Sequence, residues 1–486
     1  MKHAFTRITA FLLAGIMLLS VTACATDGDG EETQAGLGTA AVTESDTGFK
    51  PDIEKKSYDC DFVITGVGNV RSWALAEVDR EDSTGDPLED AIYERSIRVK
   101  DHLGVNLIEV DAGDWITYAG NVLRTVQAGD DAYQMVSTST YQGIVELMSS
   151  GAMYDFADFD AVNLDAPYWA FDYMDGLTIQ DKYLLGYNDF CLSDTFCMVL
   201  NKDLMEEYTL KAPYEDIRNM KWTLDSFTTY VSKVSRDNGD NKWDEQDVYG
   251  ITGWGWTDLI AFTQASGLRI VDRDEDDVYQ IAYEMNQEKT LDLLEKLSKV
   301  YDAEYSYFWT PFSEREGITV PFGSGRTLIQ MMNTSALPGL RGETIRFGVL
   351  PYPMYDEAQD AYKNLNWNGN IMVPSSIKNP DMVGETIELL AYYTAPVKTA
   401  YFEDLLGSKL AEAPDDAEML DIIWESIVSD AGVITSNISN NAVDHFLYLV
   451  PNICRDGTGT YSSYVKSRIK LANKGLDNFF NPRTRG

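Results

Sequence analysis

One long apolar run opens the chain, and no second run of that length follows. Ile8 to Val21 is apolar except at Thr9, Gly15 and Ser20, and it sits behind the basic residues Lys2 and Arg7. It is too short to span a bilayer comfortably and ends in small residues, the pattern of a secretory signal over residues 1–23. From Ala25 to about Ser57 large apolar side chains almost vanish, and Gly, Ala, Thr and acids replace them. Such a stretch cannot bury enough surface to fold, so residues 24–57 are expected to form a flexible acidic tether.

From Tyr58 the pattern becomes periodic, and strand and helix signals alternate. Phe62 to Val67 reads as a strand. Asp86-Pro87-Leu88-Glu89 opens a helix: Asp86 can cap, Pro87 fits the first turn, and Glu89 can complete a capping box. Leu88, Ile92, Val99 and Leu103 stripe that helix, Gly104 ends it, and Val105 to Val110 is the next strand. Strand, helix, strand in that order implies a parallel pair with a crossover. Trp115 to Val126 is helical in period, and Tyr133 to Ser137 is a strand. Thr223 caps a helix carrying Phe227, Tyr230, Val231 and Val234, while Leu291, Leu294, Leu297 and Tyr301 stripe another. Asn379-Pro380 starts a helix with Val383, Ile387, Leu390 and Ala391 inward, and Tyr461 to Phe480 is helical in period. The alternation favours an α/β architecture, and the length from Tyr58 to Phe480 suggests two lobes.

Charge and composition narrow the function. The chain has 78 acidic and 39 basic residues, a net charge of −39, and loss of residues 1–23 with Lys2 and Arg7 moves it to −41. That sign argues against nucleic acid, whose phosphates would be repelled. His3 leaves with the signal, and the isolated His102 and His445 argue against a zinc site or a His-based triad. After Cys24 the cysteines are Cys60, Cys191, Cys197 and Cys454, with no CxxC pair. Disulfides outside the cytoplasm, Cys191–Cys197 being nearest in sequence, and buried free thiols both remain open.

Val21-Thr22-Ala23-Cys24 resembles the bacterial lipobox. The resemblance implies that Cys24 receives a diacylglyceryl group, becomes the first mature residue, and holds the chain at the extracellular face of the cell membrane. The alternative is an ordinary signal with an incidental Cys. Six later segments, in order, resemble family 1 extracellular solute-binding proteins. Phe196 to Met205 (FCMVLNKDLM) is similar to the family's "YNKDLF" signature, and Trp222 to Phe227 (WTLDSF) to its "TWDEF" helix start. Asp247 to Thr252 (DVYGIT) resembles its "YGI" strand, and Phe322 to Ile329 (FGSGRTLI) its "F..GKAAM" strand. Phe347 to Pro353 (FGVLPYP) and Asn370 to Ser376 (NIMVPSS) complete the set. Each segment alone is weak; the six in order behind a lipobox are strong jointly.

The family resemblance implies an α/β, two-lobed periplasmic-binding-protein fold of type II, with a mixed, mostly parallel sheet in each lobe. It places hinge crossings near Phe196, Leu328 and Val373. Residues 58–195 and 329–373 are then expected in lobe 1, and 196–328 and 374–486 in lobe 2. It also implies a monomeric substrate-binding lipoprotein of an ABC importer that captures a carbohydrate, presumed an oligosaccharide, and delivers it to permease subunits. It implies no catalysis.

A sugar needs flat aromatic faces for its C–H surface and planar amides or carboxylates for its hydroxyls. The chain has 10 Trp and 28 Tyr, more than cores usually require. Gly253-Trp254-Gly255-Trp256-Thr257-Asp258 follows a strand directly, so Trp254 and Trp256 are candidates, with one of them expected in the core. Asn364 to Asn370 adds Asn366, Trp367 and Asn368 before a crossing strand, although a turn explains the Asn and Gly residues equally well. Thr138 and Tyr141 follow a lobe 1 strand, where a helix cap is the competing reading. Asp194 at the first crossing, Asn333 after the second and Trp73 after the first strand complete the candidates.

Arg236 to Asp247 resembles a calcium loop, with Asn238, Asp240, Asp244 and Asp247 at loop positions 3, 5, 9 and 12. Position 1 needs an oxygen donor and is Arg236, so a structural calcium competes with a solvated acidic turn. Two other functions compete with transport. A surface-anchored glycan hydrolase would need two carboxylates facing one bond, and a ligand-sensing lipoprotein would need no permease. No G-x-S-x-G, H-E-x-x-H or P-loop pattern is present in the chain.

Overall fold

The computed structural model describes residues 49–66, 79–114, 116–139, 143–191, 195–276, 278–309, 320–340, 343–366, 368–406 and 414–481. Residues 1–23, Cys24 and the tether up to residue 48 lie outside the described residues. Thr43–Gly486 forms one compact unit; the other unit, Met1–Val42, lies wholly outside the described residues.

Two sheets organise the compact unit, with strands numbered in chain order. The first sheet contains β1 (Cys60–Gly66), β2 (Val105–Asp111), β3 (Met135–Ser139) and β13 (Asn368–Met372), in the order β13-β3-β1-β2. β1 is parallel to β2 and β3, and β13 runs antiparallel to β3. The second sheet contains β4 (Phe196–Asn201), β5 (Ser235–Arg236), β6 (Val248–Trp254), β9 (Ser306–Trp309), β10 (Thr327–Asn333) and β11 (Phe347–Leu350). Its order is β11-β4-β10-β6-β5, and β9 also pairs with β6. Two small ladders join β7 (Val271–Arg273) to β8 (Tyr279–Ile281), and β12 (Asn364–Leu365) to β14 (Ile427–Val428).

The first parallel pair forms as its sequence predicts. The helix Pro87–Leu103 starts at Asp86, whose carboxylate accepts the N–H groups of Leu88 and Glu89 at 3.0 and 3.1 Å. Glu89 does not close a capping box; it accepts from Thr84 Oγ1 at 2.6 Å instead. The helix ends at Gly104 with φ +65, where any Cβ would collide with Ser57. Tyr58 N–H donates to Leu103 O at 2.7 Å, so the chain entering the fold is fastened to this helix end. Two periodic readings shift. The helix Tyr118–Ala128 starts after Asp114, which accepts the N–H groups of Ile116 and Thr117 at 3.0 Å each. In the helix Gln287–Tyr301 the inward face is Thr290, Leu293, Leu294, Leu297 and Val300, and Leu291 is 39% exposed.

The sheets divide the chain at different places from the resemblance. β10 begins at Thr327 and lies between β4 and β6, with Met331 opposite Met198 and Ile329 opposite Ile251. Its sequence TLIQMMN is buried on both faces except at Asn333, so it needs a central position in the second sheet rather than a crossing at Leu328. β11 also stays in the second sheet, against β4. The return to the first sheet comes between β11 and β13. The helix Pro380–Tyr393 then packs on Pro87–Leu103, so the chain beyond residue 374 remains with the first sheet before it crosses again.

Cys60 and Cys454 are free thiols, and Cys197 is buried in β4. Among the described residues no helix is long and apolar enough to cross a membrane.

Candidate functional site

Open α/β sheets place ligands beyond their strand ends. Here the ends of β3, β4, β10 and β13 converge at the passage between the two sheets. Thr195, just before β4, forms an isolated antiparallel bridge with Asn366, just before β13. Asn333 at the end of β10 lies opposite Phe196 in the ladder. Thr195 and Thr334 exchange two hydrogen bonds, Thr334 N–H to Thr195 O at 2.9 Å and Thr195 N–H to Thr334 Oγ1 at 3.1 Å. Across the first sheet Thr138 faces Asn370, and Ser139 faces Asn368.

The polar atoms at this passage are not all satisfied. Asn366 is 2% exposed, and neither its Oδ1 nor its Nδ2 has a partner among the described residues. Asn370 is fully buried; its Oδ1 accepts from Tyr173 OH at 3.0 Å, while its Nδ2 has no partner. Thr138 Oγ1 donates to Asn370 O at 3.4 Å. Buried amide groups left without hydrogen bonds are uncommon, because each loses its water without compensation. Asn366, just before β13, and Asn370, within it, bring these amide atoms to the crossing segment. Tyr173 and Tyr187, 4.7 Å apart and both buried, supply aromatic surface beside Asn370.

The second group lies at the end of β6. Trp254 is half-buried and packs against Tyr249 and Tyr307. Trp256 stacks on Tyr448 at 4.2 Å and 26°, so this indole belongs to the packing of the second lobe. Trp254 N–H donates to Asp258 Oδ2 at 2.7 Å. Asp258 is 2% exposed, and burial pushes its carboxyl up to about 8. The turn is close-packed: a Cβ on Gly253 would lie 3.0 Å from Asp258 Oδ2 and collide with Met331. Asp258, Asn370 and Tyr173 are not among the sequence candidates. Asp258 sits in the tryptophan turn and Asn370 in the asparagine cluster, but only the fold shows that both are buried.

Of the other candidates, Thr138 and Asn333 lie at the passage as described. Trp73, Tyr141, Asp194 and Trp367 lie outside the described residues, and of Asn368 only the backbone pairing is described.

The acidic loop Arg236 to Asp247 is held by its own backbone. Asp247 spends one oxygen on Asn238 N–H at 2.8 Å and the other on Asp244 N–H at 2.7 Å. Asn238 and Asp240 accept the N–H groups of Asp240 and Lys242. Lys242 Nζ lies 3.6 Å from Asp244 Oδ2, and Arg236 pairs with Glu207 at 2.7 Å. Among the described residues no three acidic, His or Cys side chains come together to hold a metal ion. The Asp247 carboxylate and the Asn238 and Asp240 oxygens thus accept from the loop's own N–H groups.

Two further buried acids are accounted for by packing. Asp430 accepts from Gln264 Nε2, Ile270 N, Val271 N and Gly432 N, and Glu388 from Tyr168 OH, Trp169 Nε1 and Asn163 N. Asp258 is governed chiefly by its burial, with the Trp254 N–H hydrogen bond opposing it.

A family model for bacterial extracellular solute-binding proteins matches residues 99–408, well over half of the chain. Among solved structures, an ABC substrate-binding protein from Listeria monocytogenes in complex with cycloalternan is 14% identical at a TM-score of 0.53, over 84% of this chain and 99% of that one. A solute-binding protein from Thermotoga lettingae bound to alpha-D-tagatose is 15% identical at 0.53, over 86% and 99%. The GacH receptor of Streptomyces glaucescens, studied with acarbose, is 12% identical at 0.52, over 87% and 98%. At these identities the likeness is one of fold, the two-lobed type II periplasmic-binding-protein architecture. No curated protein sequence matches the chain.

Proposed function

We propose that this chain, which belongs to the bacterial extracellular solute-binding protein family, captures a carbohydrate where its two lobes join and delivers it to an ABC permease. The observation that carries the reading is the amide of Asn366 at the passage between the sheets, without a partner among the described residues, with the Nδ2 of Asn370, likewise unpartnered there, in the strand that follows. Planar amides recognise hydroxyl pairs, since each offers a donor and an acceptor side by side. Trp254 supplies an aromatic face, and a neutral Asp258 carboxyl can both donate and accept. The solved neighbours with cycloalternan, tagatose and acarbose favour the same ligand class.

The lipid on Cys24, a monomeric state and the absence of catalysis belong to this proposal. A hydrolase would need a second carboxylate across the scissile bond from Asp258.

A thermal-shift screen with tagatose, acarbose, cycloalternan and linear oligosaccharides tests the ligand class. A bound sugar raises Tm by mass action. Stabilisation by peptides or polyamines and by no sugar would overturn the carbohydrate reading. Release of shortened products from an oligosaccharide would replace transport with hydrolysis.

A further inference from the structure

The last helix, Tyr461–Phe480, departs from the acidity of the chain. Its inner face is anchored by Val465, Leu476 and Phe480, and Phe480 stacks on Tyr279 at 3.7 Å and 18°. Its outer face carries Lys466, Lys470 and Lys474, all exposed. The spacing i, i+4, i+8 lines them up in one stripe about 12 Å long. None of the three has a carboxylate within ion-pair reach among the described residues. Arg468, on the flank, lies over the Tyr464 ring at 4.0 Å and spends its donors on Tyr464 O and Ser467 Oγ. The one acid of the helix, Asp477, stands at its far end and accepts from Asn481. Leu471, 55% exposed, lies beside the lysines.

We infer that this face docks on an anionic phospholipid surface. The chain carries twice as many acids as bases, so most approaches to such a surface are repelled. Charges more than about 8 Å away are largely screened at physiological salt, so a local stripe of unpaired lysines decides which face can approach. Juxtamembrane lysines gain most when their charge is not already spent on a carboxylate. Leu471 separates a lipid surface from a soluble polyanion: an interface accepts an apolar side chain beside the cationic row, and a dissolved polyphosphate does not. The N-terminal signal and Cys24 pattern would bring the chain to a membrane, and the helix would then set which way the body faces. The inference holds for any solute the protein carries.

Lysine footprinting of the full-length protein tests it. The protein is mixed with vesicles of POPC alone or of equal parts POPC and POPG, acetylated briefly, and read by mass spectrometry. Lys466, Lys470 and Lys474 should label several-fold more slowly on the anionic vesicles only, and high salt should abolish the difference. Lys470→Gln should weaken binding to the anionic vesicles by about fivefold, for one lysine lost from the surface, and reduce the protection of Lys466 and Lys474 with it. Equal labelling on both vesicle types overturns the inference. Protection by soluble polyphosphate without protection by anionic vesicles also overturns it and assigns the face to a dissolved polyanion.

Discussion

Thr195 and Asn366 pair across an isolated antiparallel bridge, and this contact joins the strand that enters the second sheet to the strand that returns to the first. Asn366 therefore sits on the backbone that connects the lobes while its buried side-chain amide has no partner among the described residues. That combination separates ligand binding from stability in a single substitution.

Asn366→Leu keeps the branched outline, with somewhat more bulk, and removes the unpaired polar atoms. The ligand-free protein should gain about 1–3 kcal/mol in urea denaturation, since a buried unsatisfied group costs about that much. The Tm rise produced by a bound sugar should shrink or vanish. A variant that loses stability and keeps its full ligand response removes Asn366 from the site.

The two indoles of the tryptophan turn should behave oppositely. Trp254→Ala should weaken sugar binding by about 1–3 kcal/mol if its face meets the ligand. Trp256→Ala should lower Tm through the lost stack on Tyr448 and leave affinity nearly unchanged. Calorimetry and thermal melts on both variants distinguish the roles, and the reverse pattern contradicts the assignment.

Asp258 makes stability depend on pH with a definite sign. Its folded carboxyl titrates near 8, above the ordinary 3.8, so between those values the folded state holds a proton that the unfolded chain has lost. Its stabilising share is therefore full below about pH 4 and falls as pH rises toward about 8. Asp258→Asn keeps an acceptor for Trp254 N–H and should become more stable than the parent by a few kcal/mol at about pH 9, with little gain at about pH 4. Parallel urea curves at both pH values test this. A constant difference between variant and parent would refute it.

The loop closed by Asp247 should ignore calcium. Its carboxylate is already spent on Asn238 and Asp244 N–H groups. Tm should be the same with added calcium and with EGTA, whereas Asp247→Ala should lower it by leaving two N–H donors unpaired. A calcium-dependent Tm in the parent, lost in that variant, would restore the metal reading.

Local periodicity was enough for most elements. The helix after Asp86 and the strand after Gly104 follow from a cap, a proline, an apolar stripe and a left-handed glycine, all set by neighbours in sequence. Leu291 faces outward because several rotations of an apolar helix satisfy the same spacing, and only packing chooses among them. β10 lies in the second sheet although the resemblance implies a crossing at Leu328, for a related reason: a strand buried on both faces reads the same in either sheet.

By itself the sequence determined the export signal pattern, the acidity, the α/β alternation and the amide and tryptophan clusters, because each depends on residues close together in the chain. It also carried the family resemblance. Tertiary structure decided which members of those clusters have unspent chemistry. Asn364 and Asn366 are near neighbours of identical type, yet Asn364 Oδ1 accepts from Tyr352 N–H and its Nδ2 donates to Ser426 Oγ, while neither side-chain atom of Asn366 has a partner among the described residues. Trp254 and Trp256 differ likewise, one resting by strand end tyrosines and the other stacked on Tyr448 from far along the chain. Hydrogen bonding and burial are set by residues that meet only in the fold, so no local pattern could separate these pairs.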